Sequence, residues 1–104
     1  MDGIFQINGS DLDWHQYRDE IRVKALTTTA STGVPPVTYV EYAPNTTDPV
    51  HQHSTAEFFV VTEGELWIDD VKTDAGGLIY IAAKTDYATR AGPDGATFFR
   101  IVVR

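Results

Sequence analysis

A chain of 104 residues, 42% apolar and 22% charged, suits one compact soluble domain spanning 1–104, and no run approaches the roughly 18 to 20 apolar residues of a bilayer-crossing helix. Fifteen acidic against eight basic residues leave a net charge of −7 with no stripe of Lys or Arg, which argues against nucleic acid and anionic membrane surfaces as partners. Cysteine is absent, so disulfides and thiolate metal sites are excluded and any metal is held by nitrogen and oxygen.

In chain order, the opening "MDGIFQINGSDLDW" has no basic start and no continuous apolar segment, so no secretory signal is read and the cytoplasm is the expected location. "GSDLDWHQYRDE" (9–20) is the one stretch with helical character: Ser10 suits a cap, and Leu12, Trp14 and Tyr17 give a loose apolar face for a turn or so of helix. Strands are expected near Ile21 to Leu26 and Val37 to Tyr42, separated by the exposed loop "TTTASTGVPP" (27–36). Further strands are expected over Ala56 to Thr62, Glu65 to Ile68, Leu78 to Ile81, Tyr87 to Arg90 and Thr97 to Val103. Gly64, "DAGG" (74–77) and "AGPDGA" (91–96) supply hairpin turns between them. Seven short strands imply an all-β sandwich or barrel.

The chemistry concentrates in "DPVHQHSTAEFFVVTEG" (48–64), which holds two of the three histidines. Along a regular strand, His51, His53 and Glu57 share one parity and point to one side. Two imidazoles and a carboxylate match Fe, Mn, Co, Ni, Zn or Cu, whereas ordinary solvated histidines and an edge carboxylate are the bland reading; the shared parity, the "FFVV" run and Gly64 favour the metal. Tyr39, Phe59, Trp67 and Phe99 are candidates for an apolar pocket lining, with plain core as the alternative. Arg90 and Arg100 suit either the steering of a carboxylate or enolate substrate or, more commonly, pairing with acids at the rim. His15 reads as a surface residue.

The pattern H-x-H-x₃-E-x₆-G, met by His51, His53, Glu57 and Gly64, resembles the first motif of the cupin superfamily, with Asn45 in place of that motif's leading glycine. The second cupin motif is eroded in "GLIYIAAKTDYATRA": from Gly76, Ala82 stands for its proline, Lys84 for its glycine, Ala91 for its asparagine and Tyr87 for its metal-binding histidine. The closing strands look like those of cupins related to anti-sigma sensors and diketone-cleaving dioxygenases. This resemblance implies a cupin-like jelly-roll β-barrel with a short N-terminal helix or loop, and a divalent or trivalent transition metal, iron first, held by His51, His53, Glu57 and Tyr87. Tyr87 has three readings: a phenolate ligand favouring iron(III), a proton donor or orienting group behind a two-histidine, one-carboxylate site, or the mark of a pocket that has lost its metal.

The expected function is a metal-dependent, dioxygenase-like enzyme acting on a β-dicarbonyl or enediol, with Glu57 and Tyr87 as catalytic groups. A metal-free binding or sensor cupin, or a cupin isomerase or lyase, is the alternative. The expected partners are a small-molecule substrate and a second copy of the chain in a homodimer.

Overall fold

The computed structural model describes residues 3–28 and 34–103. These form one turn of 3₁₀ helix, Gly9–Asp11, and eight strands: β1 (His15–Arg18), β2 (Ile21–Thr27), β3 (Val37–Tyr42), β4 (Thr47–His51), β5 (Ala56–Ile68), β6 (Val71–Asp74), β7 (Leu78–Ile81) and β8 (Tyr87–Val103). All pairings are antiparallel, in the order β1-β2-β3-β8-β5-β6, with β4 also on β8 and β7 also on β5. The all-β jelly-roll barrel expected from the sequence is the architecture found.

Two long strands serve both layers. The second half of β8, residues 96–103, lies between β3 and the start of β5, whereas its first half, residues 87–91, lies between β4 and the end of β5. The turns expected at Gly64 and over 91–96 are therefore corners within continuous strands rather than hairpins. Gly64 (φ 70°) and Gly95 (φ 84°) make the corner, at register shifts in β5 between Val61 and Glu63 and between Gly64 and Leu66. A side chain on Gly64 would collide with the Gly95 carbonyl, so the two backbones approach as only glycine permits.

Strands β2, β3 and β7 fall where the sequence places them, but β4 and β6 escape it. "TDPVH" carries a proline and an aspartate, and "VKTD" is a mostly exposed edge strand, so neither shows the apolar alternation of a core strand. The expected helix over 9–20 shrinks to the 3₁₀ turn, and His15–Arg18 pairs with β2 instead. Trp14 explains the difference. It stacks on Tyr39 of the sheet, with the Arg22 guanidinium and Lys24 ammonium over its ring, and Lys24 Nζ donates to the Gly9 carbonyl, so the segment lies flat on the strands. Of the loop expected over 27–36, residues 29–33 lie outside the described residues. Thr27 itself ends β2, donating to the Pro35 carbonyl and accepting from the Val37 amide.

Side chains alternate along the first half of β5 and the end of β3. Val40, Tyr42, Phe59, Val61 and Phe98 face inward and are buried, Phe98 lying 5.0 Å from Phe59 and 5.4 Å from Tyr42 between ring centroids. The residues between them form an outer apolar face in two cross-strand rows, Tyr39, Phe99, Val60, Leu78 and Val37, Ile101, Phe58, Tyr80. Inside, Tyr42 and Thr89 share a buried hydroxyl–hydroxyl bond of 2.9 Å that ties β3 to the first half of β8 across the barrel.

Asn45 and Lys84, which stand where the resembled motifs carry glycine, both adopt φ 60°. For an ordinary side chain such a backbone costs about 1–2 kcal/mol. Lys84→Gly is thus expected to raise the melting temperature by a few degrees, a gain of about 0.5–1 kcal/mol after the entropy of the added glycine. Gly64→Ala is expected to act in the opposite direction by about 2–4 kcal/mol, a fall of roughly 10–20 °C, because strain and collision add. Calorimetric melting of the two variants beside the wild type checks both signs.

Burial pushes the Tyr42 hydroxyl up from 10.0 to about 12, against the opposing effect of its bond to Thr89. The folded state holds this proton more tightly than the unfolded state. The stability linked to it is therefore complete below about pH 10 and is lost as pH climbs toward 12. Tyr42→Phe is expected to cost about 1 kcal/mol at pH 7 by unpairing Thr89, and to flatten the alkaline decline. Urea unfolding at pH 7 and between pH 9 and 11.5 measures both effects.

Candidate functional site

His51, His53 and Glu57 do not share one regular strand, contrary to the parity argument. His51 ends β4, His53 lies in the connection, and Glu57 is the second residue of β5. They converge because the connection is pinned to residues 84–87. His51 pairs with Tyr87 in register, the His53 carbonyl accepts from the Lys84 amide at 2.8 Å, and Gln52 Nε2 donates to Asp86 Oδ1 at 2.7 Å. The result is an aromatic cluster, with ring centroids 5.1 Å apart for His51 and His53, 4.6 Å for His51 and Tyr87, and 6.3 Å for His53 and Tyr87.

Glu57 is 1% exposed. Its Oε1 accepts from the Tyr87 hydroxyl at 2.5 Å and its Oε2 from Arg100 Nε at 2.5 Å, so both carboxylate oxygens are engaged. The Tyr87 hydroxyl is pushed well above the ordinary phenol range, first by burial and then by its bond to Glu57 and that residue's charge. Tyr87 is therefore a protonated phenol that donates a hydrogen bond.

The histidines present a different face. His51 Nδ1 donates to the Pro49 carbonyl at 2.8 Å, which leaves Nε2 as the ring nitrogen free to meet another group. His53 is held below the ordinary imidazole range, chiefly by desolvation, with Glu57 opposing and Arg100 and His51 reinforcing the shift. Its 4.0 Å approach to Glu57 Oε1 is accordingly a contact between a neutral ring and a carboxylate, because burial and the nearby guanidinium outweigh the attraction.

These groups open on a cavity of about 530 Å³. Ile21, Val23, Val40, Phe59 and Phe98 form its apolar wall, and His51, His53, Tyr87, Thr89 and Arg100 bring polar atoms to it. Of the four aromatic residues read as pocket candidates, only Phe59 lines this cavity. Tyr39 and Phe99 stack on each other on the outer face, and Trp67 lies under the Arg90 guanidinium. Arg100, for which the sequence left open substrate steering or the commoner pairing with acids at the rim, is an inner residue two positions after buried Phe98 that both pairs with Glu57 and lines the cavity. The alternation is in the sequence, but "TFFRIVV" is apolar at both parities and hides which one faces inward. His15 lies exposed on β1, as expected.

The transition metal implied by the cupin resemblance meets a mixed donor set. The two imidazoles suit it, His51 above all, since a backbone acceptor on Nδ1 is how ligating histidines are commonly oriented. The other two expected ligands are already committed: Tyr87 gives its proton to Glu57, and Arg100 neutralises the same carboxylate. Among the described residues, no group of three or more His, Asp or Glu side chains is disposed to hold a metal ion. As arranged, the four-residue set does not fit a metal centre.

Likenesses to known proteins span nearly the whole chain. The profile of the ChrR cupin-like domain matches residues 3–101, while no curated protein sequence matches. Among solved structures, the complex of SigE with the anti-sigma ChrR from Rhodobacter sphaeroides is 16% identical with a TM-score of 0.78; the match covers 89% of this chain but only half of that one. The polyketide cyclase RemF from Streptomyces resistomycificus is 21% identical over 95% of this chain and 78% of its own, with a TM-score of 0.81. A putative acetylacetone dioxygenase from Methylibium petroleiphilum is 15% identical over 98% and 78%, again at 0.81. At these identities the structural likeness speaks to fold alone, and no helix among the described residues is long and apolar enough to cross a membrane. With the profile matched from residue 3 to residue 101, the chain belongs to the family of ChrR cupin-like domains.

Proposed function

We propose that this cupin domain binds a small oxygenated organic molecule, of the β-dicarbonyl or enediol kind, inside its barrel and acts on it as an enzyme. The observation that carries this reading is the 530 Å³ cavity, apolar on one side and lined on the other by two imidazoles, a phenol and a guanidinium. Its volume and mixed lining are those of small-molecule sites. His53, kept uncharged, is the group best placed to accept a proton from an enolisable ligand. Glu57 and Tyr87, expected from the sequence to be the acting pair, are bonded to each other; the Tyr87 oxygen keeps lone pairs for a ligand hydroxyl, and Glu57 holds the phenol in place.

Wild-type protein is expected to show a raised melting temperature with one or more members of a panel of small diketones and hydroxyketones, and to convert a member of that panel. His53→Ala should lower turnover by about 10²–10⁴-fold while the fold persists. Binding without conversion would favour the sensor alternative, which needs the same pocket and no base. No stabilisation by any member would end the reading.

The orientation of His51 supports a second reading, in which His51 and His53 hold a transition metal, iron before zinc, manganese, nickel, cobalt or copper, that supplies dioxygen chemistry. The engaged state of Glu57 and Tyr87 favours the first. After reconstitution with each metal and desalting, elemental analysis is expected to find well under one ion per chain. One tightly held ion per chain, lost in His51→Ala and accompanied by oxygen uptake, would establish the second reading instead.

The homodimer is proposed on the outer apolar face, where Leu78 and Tyr80 are 63% and 57% exposed beside Phe58 and Val60. Sedimentation is expected to give twice the chain mass for wild type and a single chain for Leu78→Glu.

A further inference from the structure

Arg100 holds Glu57 through Nε alone. Its Nη1 and Nη2 groups bond to no atom among the described residues, yet the side chain lines the cavity and keeps 28% of its surface exposed. A guanidinium is a planar fork whose separate edges each accept an oxyanion, and the end bearing both Nη groups matches a carboxylate bidentately. From this unused edge we infer that Arg100 is the specificity residue of the pocket and that the preferred ligand carries a carboxylate, seated on Nη1 and Nη2, beside its carbonyl or hydroxyl oxygen. The inference rests on the small-molecule pocket proposed above and narrows its occupant to small oxo- or hydroxy-carboxylates with an apolar tail.

The surroundings agree with one anionic group at that place and no other. Asp48, the carboxylate in the cavity wall, is paired to Arg18 at 3.0 Å, and Glu57, buried behind the wall, already receives Tyr87 and Arg100 Nε. His53 approaches Glu57 Oε1, whereas Arg100 holds Oε2, and the imidazole, kept uncharged chiefly by desolvation, suits a carbonyl or hydroxyl oxygen rather than a second carboxylate. Ile21, Val23 and Val40 offer the ligand's carbon chain an apolar wall. Arg100 touches ligand in this scheme through binding and takes no part in bond making.

Calorimetric titration of the full chain at fixed ionic strength, with 2-oxopentanoate, its methyl ester and 2,4-pentanedione as probes, tests the assignment. Wild type is expected to bind the acid at least about tenfold more tightly than its ester, the worth of one charge-assisted hydrogen-bonded pair. Arg100→Gln should erase that preference. Because it strands Glu57 without a cation, the double variant Glu57→Gln with Arg100→Met is the companion: it keeps an acceptor for Tyr87, buries no charge, and should bind acid and ester within about threefold of each other. Equal binding of acid and ester by wild type, or a preference that survives in the double variant, would overturn the inference. If 2,4-pentanedione binds and the acid binds no better than its ester, the Arg100 assignment alone fails; if none of the three probes binds, the pocket reading falls with it.

Discussion

One buried carboxylate sets the geometry of this molecule. Glu57 receives Tyr87, the first residue of β8, and Arg100, near the end of the same strand. Thirteen residues of straight strand would hold those two side chains about 43 Å apart. Both touch Glu57, so β8 has to turn back on itself, and it does so at the corner where Gly95 meets Gly64. Breaking such a buried pair from one side is strongly destabilising, typically by about 3–5 kcal/mol, because the remaining charge is stranded. The polar cluster of the cavity and the bend of the barrel therefore come from one arrangement.

Much of the fold is legible in the sequence because its core strands are short runs of β-branched and aromatic residues bounded by turn residues. Val37 to Tyr42 and Leu78 to Ile81 are read to the residue, since strand-forming composition and flanking turn residues agree there. The corners are not legible. A glycine at positive φ marks a hairpin turn and a bulged bend equally well, and only the pairing of β5 with β8 on both sides of Gly64 distinguishes them. The helix expected near Trp14 is lost for another reason: the indole finds a better partner in Tyr39, 25 residues along the chain, than any helical face supplies.

The site was partly legible in the same way. His51, His53, Glu57 and Tyr87 are brought together, although by a pinned connection and a strand register rather than by parity along one strand. Arg100 is the residue whose importance the sequence conceals, since both parities of its strand are apolar. Its presence changes the meaning of Glu57. A carboxylate facing only imidazoles reads as a ligand in waiting, whereas one already neutralised by a guanidinium is a structural anion that positions Tyr87. Family membership covers the barrel, and the chemistry rests on these few side chains.

The corner in β8 also bears on motion. Because Tyr87 and Arg100 belong to one continuous strand clasped by one acid, the two halves of β8 that face the cavity do not part alone; opening one drags the other through the shared ladder. Amide protons on both sides of the bend belong to a single cooperative unit whose exchange waits on a large fluctuation of the barrel. Walls tied in this way keep their spacing, so the cavity presents one outline and holds the free edge of Arg100 at one place within it.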